Sequence, residues 1–380
     1  MSPPGDRFSS YPASRVANSQ PAGIGRVAAL GERAAWNNLG RNIVFSDRGL
    51  RPRAVFDDTL YPDDDELSQY DLDIHAIVAL PGADLVLALN HLGLVRAFDG
   101  SEIPDRGPVH RLRPLWTRAF AEDVERAVIV GNRLVGSGSR SGATTGIVVS
   151  EHLFGSAPGG PMETRAELGT WGEVTALAPI EHDGETSIAV GGAGRVSLVP
   201  LAGGRPGPSR WDVPVPFRTA GFAWDAGLLW AAGSALVDGI DDHDWENVRG
   251  GGVVALRPTD GRVVASAPFP DDVAWGNGGS AFAVLGGVPC AVARTGELCV
   301  ARGDLRAHSA EVSVATGDPP TTAGDREAFW VRTPPVASGS LGIAHAAVVA
   351  NRLLYGFNRG DYRLQEVPGS DIRPLTGSER

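Results

Sequence analysis

The chain has 380 residues, 42% of them hydrophobic and only 21% charged, a balance that supplies a sizeable core and excludes wholesale disorder. Its formal net charge is −11 and no basic run interleaved with aromatics occurs, so the electrostatic footprint of a nucleic-acid binder is missing. Every one of the 34 basic residues is arginine, which removes Schiff-base chemistry, a P-loop lysine and a lysine general base.

Fifty glycines and 28 prolines, scattered without a period, mark many short strands and tight turns. Residues 1–25 are rich in Ser, Pro and Gly and read as a flexible N-terminal arm ahead of a single domain over 26–380. The arm has no apolar h-region, and no apolar stretch reaches the ~18 residues of a membrane span, so the expected location is the cytoplasm with no membrane partner.

Beyond the arm one pattern recurs: an apolar strand, a turn, a second strand, a turn, and a third strand rich in Val or Leu. A first copy lies near Trp36 (WNNLG, NIVFSD, RAVFD), and the clearest begins at His75 (HAIVAL, PGAD, LVLALN, HLG, LVRAFDG). Others start at Arg126 (RAVIVG, GNR, LVGSGS), Glu173 (EVTALAPI, EHDGET, SIAVGG), Phe217 (FRTAGFAW, DAG, LLWAAG), Val273 (VAWGNGGSAFAVL, PCAVART) and His345 (HAAVVA, NR, LLYGF). Gly, Asp or Asn stands at the breaks, where hairpin turns want them. The spacing approaches the ~40–50 residues of a four-stranded blade. An all-β, seven-bladed β-propeller is the predicted fold, with six or eight blades also compatible because 301–344 has room for another. The last unit shows three strands, and RVAAL (26–30) is expected to supply its fourth, pairing the N- and C-terminal strands to close the ring.

The stretch GGVVALRPTDGRVVAS (251–266) resembles a quinoprotein-like propeller repeat, and 93–100 resembles it in part. The resemblance implies the propeller superfamily and does not carry pyrroloquinoline quinone with it. WD-repeat propellers are a second comparison, although here the strand-borne Trp224-Asp225 stands at a first-to-second strand turn rather than at a blade end.

In such a ring the starts of the first strands converge on the axis, which makes their polar residues the place to look for chemistry. They are Asn37 and Asn38, His75, Arg126, Glu173, Arg218, Trp275 and Asn277, and His345. His75 and His345 occupy the same position of the same repeat. With Glu173 they form the candidate catalytic and metal-ligating set: imidazoles plus a carboxylate suit Zn or Fe, and Ca less well. Without metal they are candidate acid–base groups, while Asn38, Arg126, Arg218, Trp275 and Asn277 would bind the substrate, arginine favouring an anionic one. Iron-dependent carotenoid-cleaving and calcium-dependent lactonase propellers place comparable histidines, or Glu with Asn and Asp, at the axis. No pyridoxal phosphate or nucleotide cofactor is expected. Gly-x-Ser-x-Gly, His-Glu-x-x-His, Cys-x-x-Cys and a helix-opening Gly-x-Gly-x-x-Gly are all absent.

Two acidic stretches, 57–66 (DDTLYPDDDE) and 238–247 (DGIDDHDWEN), read as solvated loops. Cys290 and Cys299 flank a Thr295-Gly296 turn, leaving open a cross-strand disulfide or two reduced thiols. Two functions follow from this reading: a hydrolase or lyase acting on a small molecule at the channel, or a non-catalytic interaction scaffold whose acidic loops dock a basic protein partner.

Overall fold

The computed structural model describes residues 9–11, 27–37, 42–57, 74–80, 83–90, 92–120, 124–138, 146–150, 174–237, 248–272, 281–301, 305, 329–333, 344–357 and 364–368. These form 27 strands and one short 3-10 turn at Gly100–Glu102. Strand β1 (Ser9–Tyr11) precedes unit 1, made of β2 (Val27–Leu30), β3 (Arg33–Asn37), β4 (Asn42–Ser46) and β5 (Pro52–Asp57). Unit 2 has β6 (Ile74–Ala79), β7 (Leu85–Asn90) and β8 (Leu94–Asp99). The chain then leaves it for β9 (His110–Arg111), which pairs in parallel with β5, and returns as β10 (Trp116–Ala119) on the outer side of β8.

Unit 3 has β11 (Val124–Val130), β12 (Arg133–Gly138) and β13 (Gly146–Val149). Units 4 and 5 share one sheet, built from β14 (Val174–His182), β15 (Glu185–Ala202), β16 (Arg205–Pro206), β17 (Trp211–Asp225), β18 (Leu228–Ala235), β19 (Gly251–Leu256) and β20 (Val263–Pro268). The long strands do double duty: β15 pairs first with β14 and then with the start of β17, whose second half pairs with β18. Unit 6 has β21 (Phe282–Leu285), β22 (Val288–Val292), β23 (Leu298–Ala301) and β24 (Trp330–Arg332); unit 7 has β25 (Ala344–Val349), β26 (Arg352–Phe357) and β27 (Leu364–Pro368), with β1 on its outer edge.

The first strands of the units pack side by side in the order β2, β6, β11, β14, β17, β21, β25 and back to β2. Apolar clusters fill the space between neighbouring units. Phe45 and Phe56 meet Phe98 between units 1 and 2, Trp36 meets Leu354 between units 1 and 7, and Trp230, Trp330 and Tyr355 share the largest cluster across units 5, 6 and 7. Each sheet is therefore buried on both faces, and its inner strands read as continuous apolar runs instead of alternating ones, as in LVLALN of β7, buried throughout. Two tryptophans are placed by a polar or cationic contact as well. Trp330 Nε1 donates to Pro268 O at 2.7 Å, and the Arg118 guanidinium sits 4.6 Å from the Trp116 ring.

Two expectations about boundaries need correction. Trp36 does not open unit 1: it lies in the second strand, and Val27–Leu30 is the first. The tight turn at Gly31, with φ +58°, folds Leu30 back onto Arg33 and commits Val27–Leu30 to β3, so this strand is not available to β27. The strand that joins the two ends of the chain is Ser9–Tyr11, inside the segment expected as an arm, paired with Leu364–Glu366. In unit 6 the first strand is Phe282–Leu285, the last part of the run that starts at Val273.

Cys290 and Cys299 are both free and buried. Cys290 stands opposite Val300 and Cys299 opposite Ala291, so successive side chains of β23 place the two thiols on opposite faces of the sheet, where no disulfide can span them. Burial raises both thiols far above the usual range.

Candidate functional site

The first strands carry an irregularity at their beginnings: the register shifts between Ile74 and Ala76, between Val124 and Arg126, and between Val174 and Ala176. A bulge turns one extra residue out of the ladder and re-aims it. In β6 that residue is His75, half-buried; in β14 it is Thr175, buried. His345 is the second residue of β25, opposite Gly356, and is 3% exposed. The two histidines are the second residues of strands that flank β2 on either side, His75 in the bulge of β6 and His345 within the regular ladder of β25.

The polar side chains around these starts tie units together. Asn37, at the end of β3, donates through Nδ2 to the Ile74 carbonyl at 3.1 Å, joining unit 1 to unit 2 next to His75. Arg126 donates through Nε to the Thr175 carbonyl at 2.9 Å, joining units 3 and 4. The Thr175 hydroxyl is directed at the Thr219 carbonyl of unit 5 and lies 3.3 Å from Gly191 O. Arg218 is buried where β17 crosses from one unit to the next, opposite Ser234 on one side and Ala193 on the other. Of the proposed substrate-binding residues, then, Arg126 and Arg218 sit at joints between units. Glu173, Asn38, Trp275 and Asn277 lie outside the described residues, as do the acidic stretches 58–66 and 238–247. Among the described residues no group of three His, Cys, Asp or Glu side chains is placed to hold a metal ion.

The opposite end of the ring repeats the theme with arginines that motif reading passes over. In units 1, 3 and 7 the residue just after the first hairpin turn is Arg33, Arg133 or Arg352. Each reaches into the following unit: Arg33 donates to Gly100 O at 2.6 Å, Arg133 to Gly203 O at 3.4 Å, and Arg352 to Arg48 O at 3.2 Å. The signal is present in the sequence as GER, GNR and ANR, three turns each followed by arginine.

A charged cluster also lies in unit 6. Arg332 contacts buried Glu297 through Nε and clamps Asp272 with both terminal nitrogens, at 3.0 and 2.8 Å. The hydrogen bond from Arg332 holds the Asp272 carboxyl below its ordinary value against a smaller opposing effect of burial, and the two carboxylates, Glu297 foremost, raise the Arg332 guanidinium further. The arginine between two carboxylates ties β24 to the turn that leads into β23 and to the segment that follows β20.

No protein-family model matches the sequence, and no curated protein matches it significantly. Among solved structures the chain is similar to BamB from Moraxella catarrhalis, with a TM-score of 0.50 and 13% sequence identity, covering 90% of this chain and 95% of that one. BamB is a β-propeller, and at this identity the likeness concerns the fold alone. An all-β chain with a propeller's arrangement of strands is the result.

Proposed function

We propose that the protein is a seven-bladed β-propeller acting as a non-catalytic interaction scaffold. The cyclic packing of the first strands supports the blade count, with the sheet of units 4 and 5 supplying two blades. The observation that carries the functional reading is the use made of the polar side chains at the strand starts. Asn37, Arg126 and Thr175 each bond a backbone carbonyl of the next blade, which makes them joints of a rigid ring. Rigid propeller rims present broad loop surfaces, and with a net charge of −11 this one favours basic protein partners, whose capture weakens as salt rises.

Retention of protein partners from extracts of the source cell, measured by cross-linking and mass spectrometry at low and high ionic strength, tests this. The scaffold reading expects a reproducible partner set that is lost at high salt and is the same for wild type and a His75→Ala/His345→Ala variant. A solitary monomer at both ionic strengths would overturn it.

The matching histidines beside β2 favour a second reading, a hydrolase or lyase acting on a small anionic molecule with His75, His345 and Glu173 as metal ligands or as acid and base. In that case Zn or Fe would be the metal, and activity would disappear in the double-histidine variant.

A further inference from the structure

The segment that leaves unit 2 after the Gly100–Glu102 turn and returns to it at β10 exposes its residues alternately. Over 109–115, Val109, Arg111, Arg113 and Leu115 are exposed, while His110 and Pro114 are half-buried and Leu112 is buried. A period of two is the mark of an extended chain with one outward face. The segment is held at three points. Gly107 O accepts from Arg53 Nη1 at 3.0 Å, Leu112 N donates to Val55 O of β5 at 2.9 Å, and Leu115 N donates to Ala97 O of β8 at 2.7 Å. Leu112 itself belongs to the apolar cluster between units 1 and 2. The inner residues thus fix the segment across that joint. The outer ones form a track, apolar at both ends and cationic in the middle, that begins on β9, the last strand of the unit 1 sheet.

In a chain of net charge −11 this face has the opposite sign. Residues 103–115 hold three arginines, Arg106, Arg111 and Arg113, against one carboxylate, Asp105, which Arg33 already engages at 3.2 Å. Exposed Arg48 and Arg210 are paired with Glu32 and Glu185, whereas Arg106 and Arg113 have no ion-pair partner among the described residues. Outward residues of a strand are two rises apart, about 6.6 Å. Arg111 and Arg113 therefore match carboxylates at alternate positions of a second extended chain, and Val109 and Leu115 match apolar residues one step further out on each side. Charges elsewhere on the molecule are screened beyond the ~8 Å Debye length at physiological salt, so a short segment responds to this face alone. An extended anionic surface, a membrane or a nucleic acid, meets the acidic remainder as well.

We infer that the outward face of 109–115 is the docking track for an extended acidic segment of a protein partner, with two carboxylates at alternate positions paired to Arg111 and Arg113 and flanking apolar side chains covering Val109 and Leu115. The inference rests on the scaffold reading above and adds to it a face with the reverse charge preference.

The test is fluorescence anisotropy on the full chain with labelled peptides that share the same apolar ends: Leu-Thr-Glu-Thr-Glu-Thr-Val, its counterpart with Gln for both Glu, and Leu-Thr-Thr-Glu-Glu-Thr-Val, of the same composition with the carboxylates adjacent. The alternating peptide binds wild type; the Gln peptide binds about fivefold more weakly and the adjacent-Glu peptide about two- to threefold more weakly, the size expected of exposed ion pairs. Arg113→Gln weakens the alternating peptide about two- to fourfold and reduces its salt dependence. Arg113→Glu binds a peptide with Lys for both Glu more tightly than wild type does, a gain that a misfolded variant would not show. Arg262→Gln, at an exposed arginine of unit 5, changes nothing. Equal affinity for the alternating and adjacent-Glu peptides, or equal binding by wild type and Arg113→Gln, would overturn the assignment of the track. Failure of wild type to bind would overturn the inference: binding uncovered when 58–66 is replaced by Gly and Ser would give the track to the chain's own acidic stretch, and capture by phosphatidylserine vesicles in place of peptide would give it to a lipid surface. In each case the partner set retained from extracts judges the scaffold reading separately.

Discussion

Arg332 draws together residues that are 60 and 35 positions away in the chain, and this distance explains why the sequence does not announce it. Nothing in REAFWVRT pairs the arginine with Asp272 or Glu297; register between β23 and β24 does, placing Cys299 opposite Arg332. The histidines were legible for the opposite reason, since HAIVAL and HAAVVA repeat the same pattern and the repeat itself aligns them. Asp272 gives a prediction whose sign is fixed. Its folded-state carboxyl titrates below the ~3.9 of an unfolded aspartate, so the stabilisation is fully present above that value and is lost as pH falls through the depressed native one. With 62% of its side chain exposed the contribution is screened, at most about 1 kcal/mol. Urea denaturation should show Asp272→Asn less stable than wild type near neutral pH and equal to it in strong acid; a deficit that persists in strong acid would contradict the pairing.

At the scale of strands and hairpins, the breaks marked by Gly, Asp and Asn became turns at Gly31, Asp183-Gly184 and Gly286-Gly287, and in unit 7 Ala350-Asn351 makes the same turn with both residues at positive φ. Hairpin existence was readable because turn chemistry is local. The start of blade 1 was not, because RVAAL is short and Trp36, with its larger apolar signal, belongs to the second strand. Side chains that cross between units were equally hidden: Thr175 has the look of a strand filler, yet its hydroxyl is the donor to Thr219 O between units 4 and 5. Close approach there is confirmed by Gly191, where an added Cβ would lie 2.5 Å from Thr219 Cγ2. Thr175→Val keeps the shape and removes the donor, leaving a buried carbonyl one bond short at a cost of about 1–3 kcal/mol. Thermal unfolding measures it, accompanied by faster amide exchange along β17; an unchanged melting temperature would remove Thr175 from the set of joints.

For the whole molecule, the repeat made the fold class legible, and the closure was legible in kind but not in place. Ser9–Tyr11 carries no apolar alternation, so its pairing with β27 follows from an open sheet edge at the other end of the chain rather than from its own sequence. The likeness to BamB is likewise one of architecture, reached at 13% identity, as expected when apolar inter-blade packing can be satisfied by many sequences. Function is less legible than fold because a ring of first strands supplies matching positions whether or not chemistry uses them. The most direct test of the central claim, that the protein is a scaffold and not a metal-dependent enzyme, is the metal content of purified, unchelated protein by elemental mass spectrometry, beside His75→Ala/His345→Ala. The scaffold account predicts no stoichiometric metal in either protein; one equivalent of Zn or Fe in wild type that disappears in the variant would contradict it and establish an axial metal site.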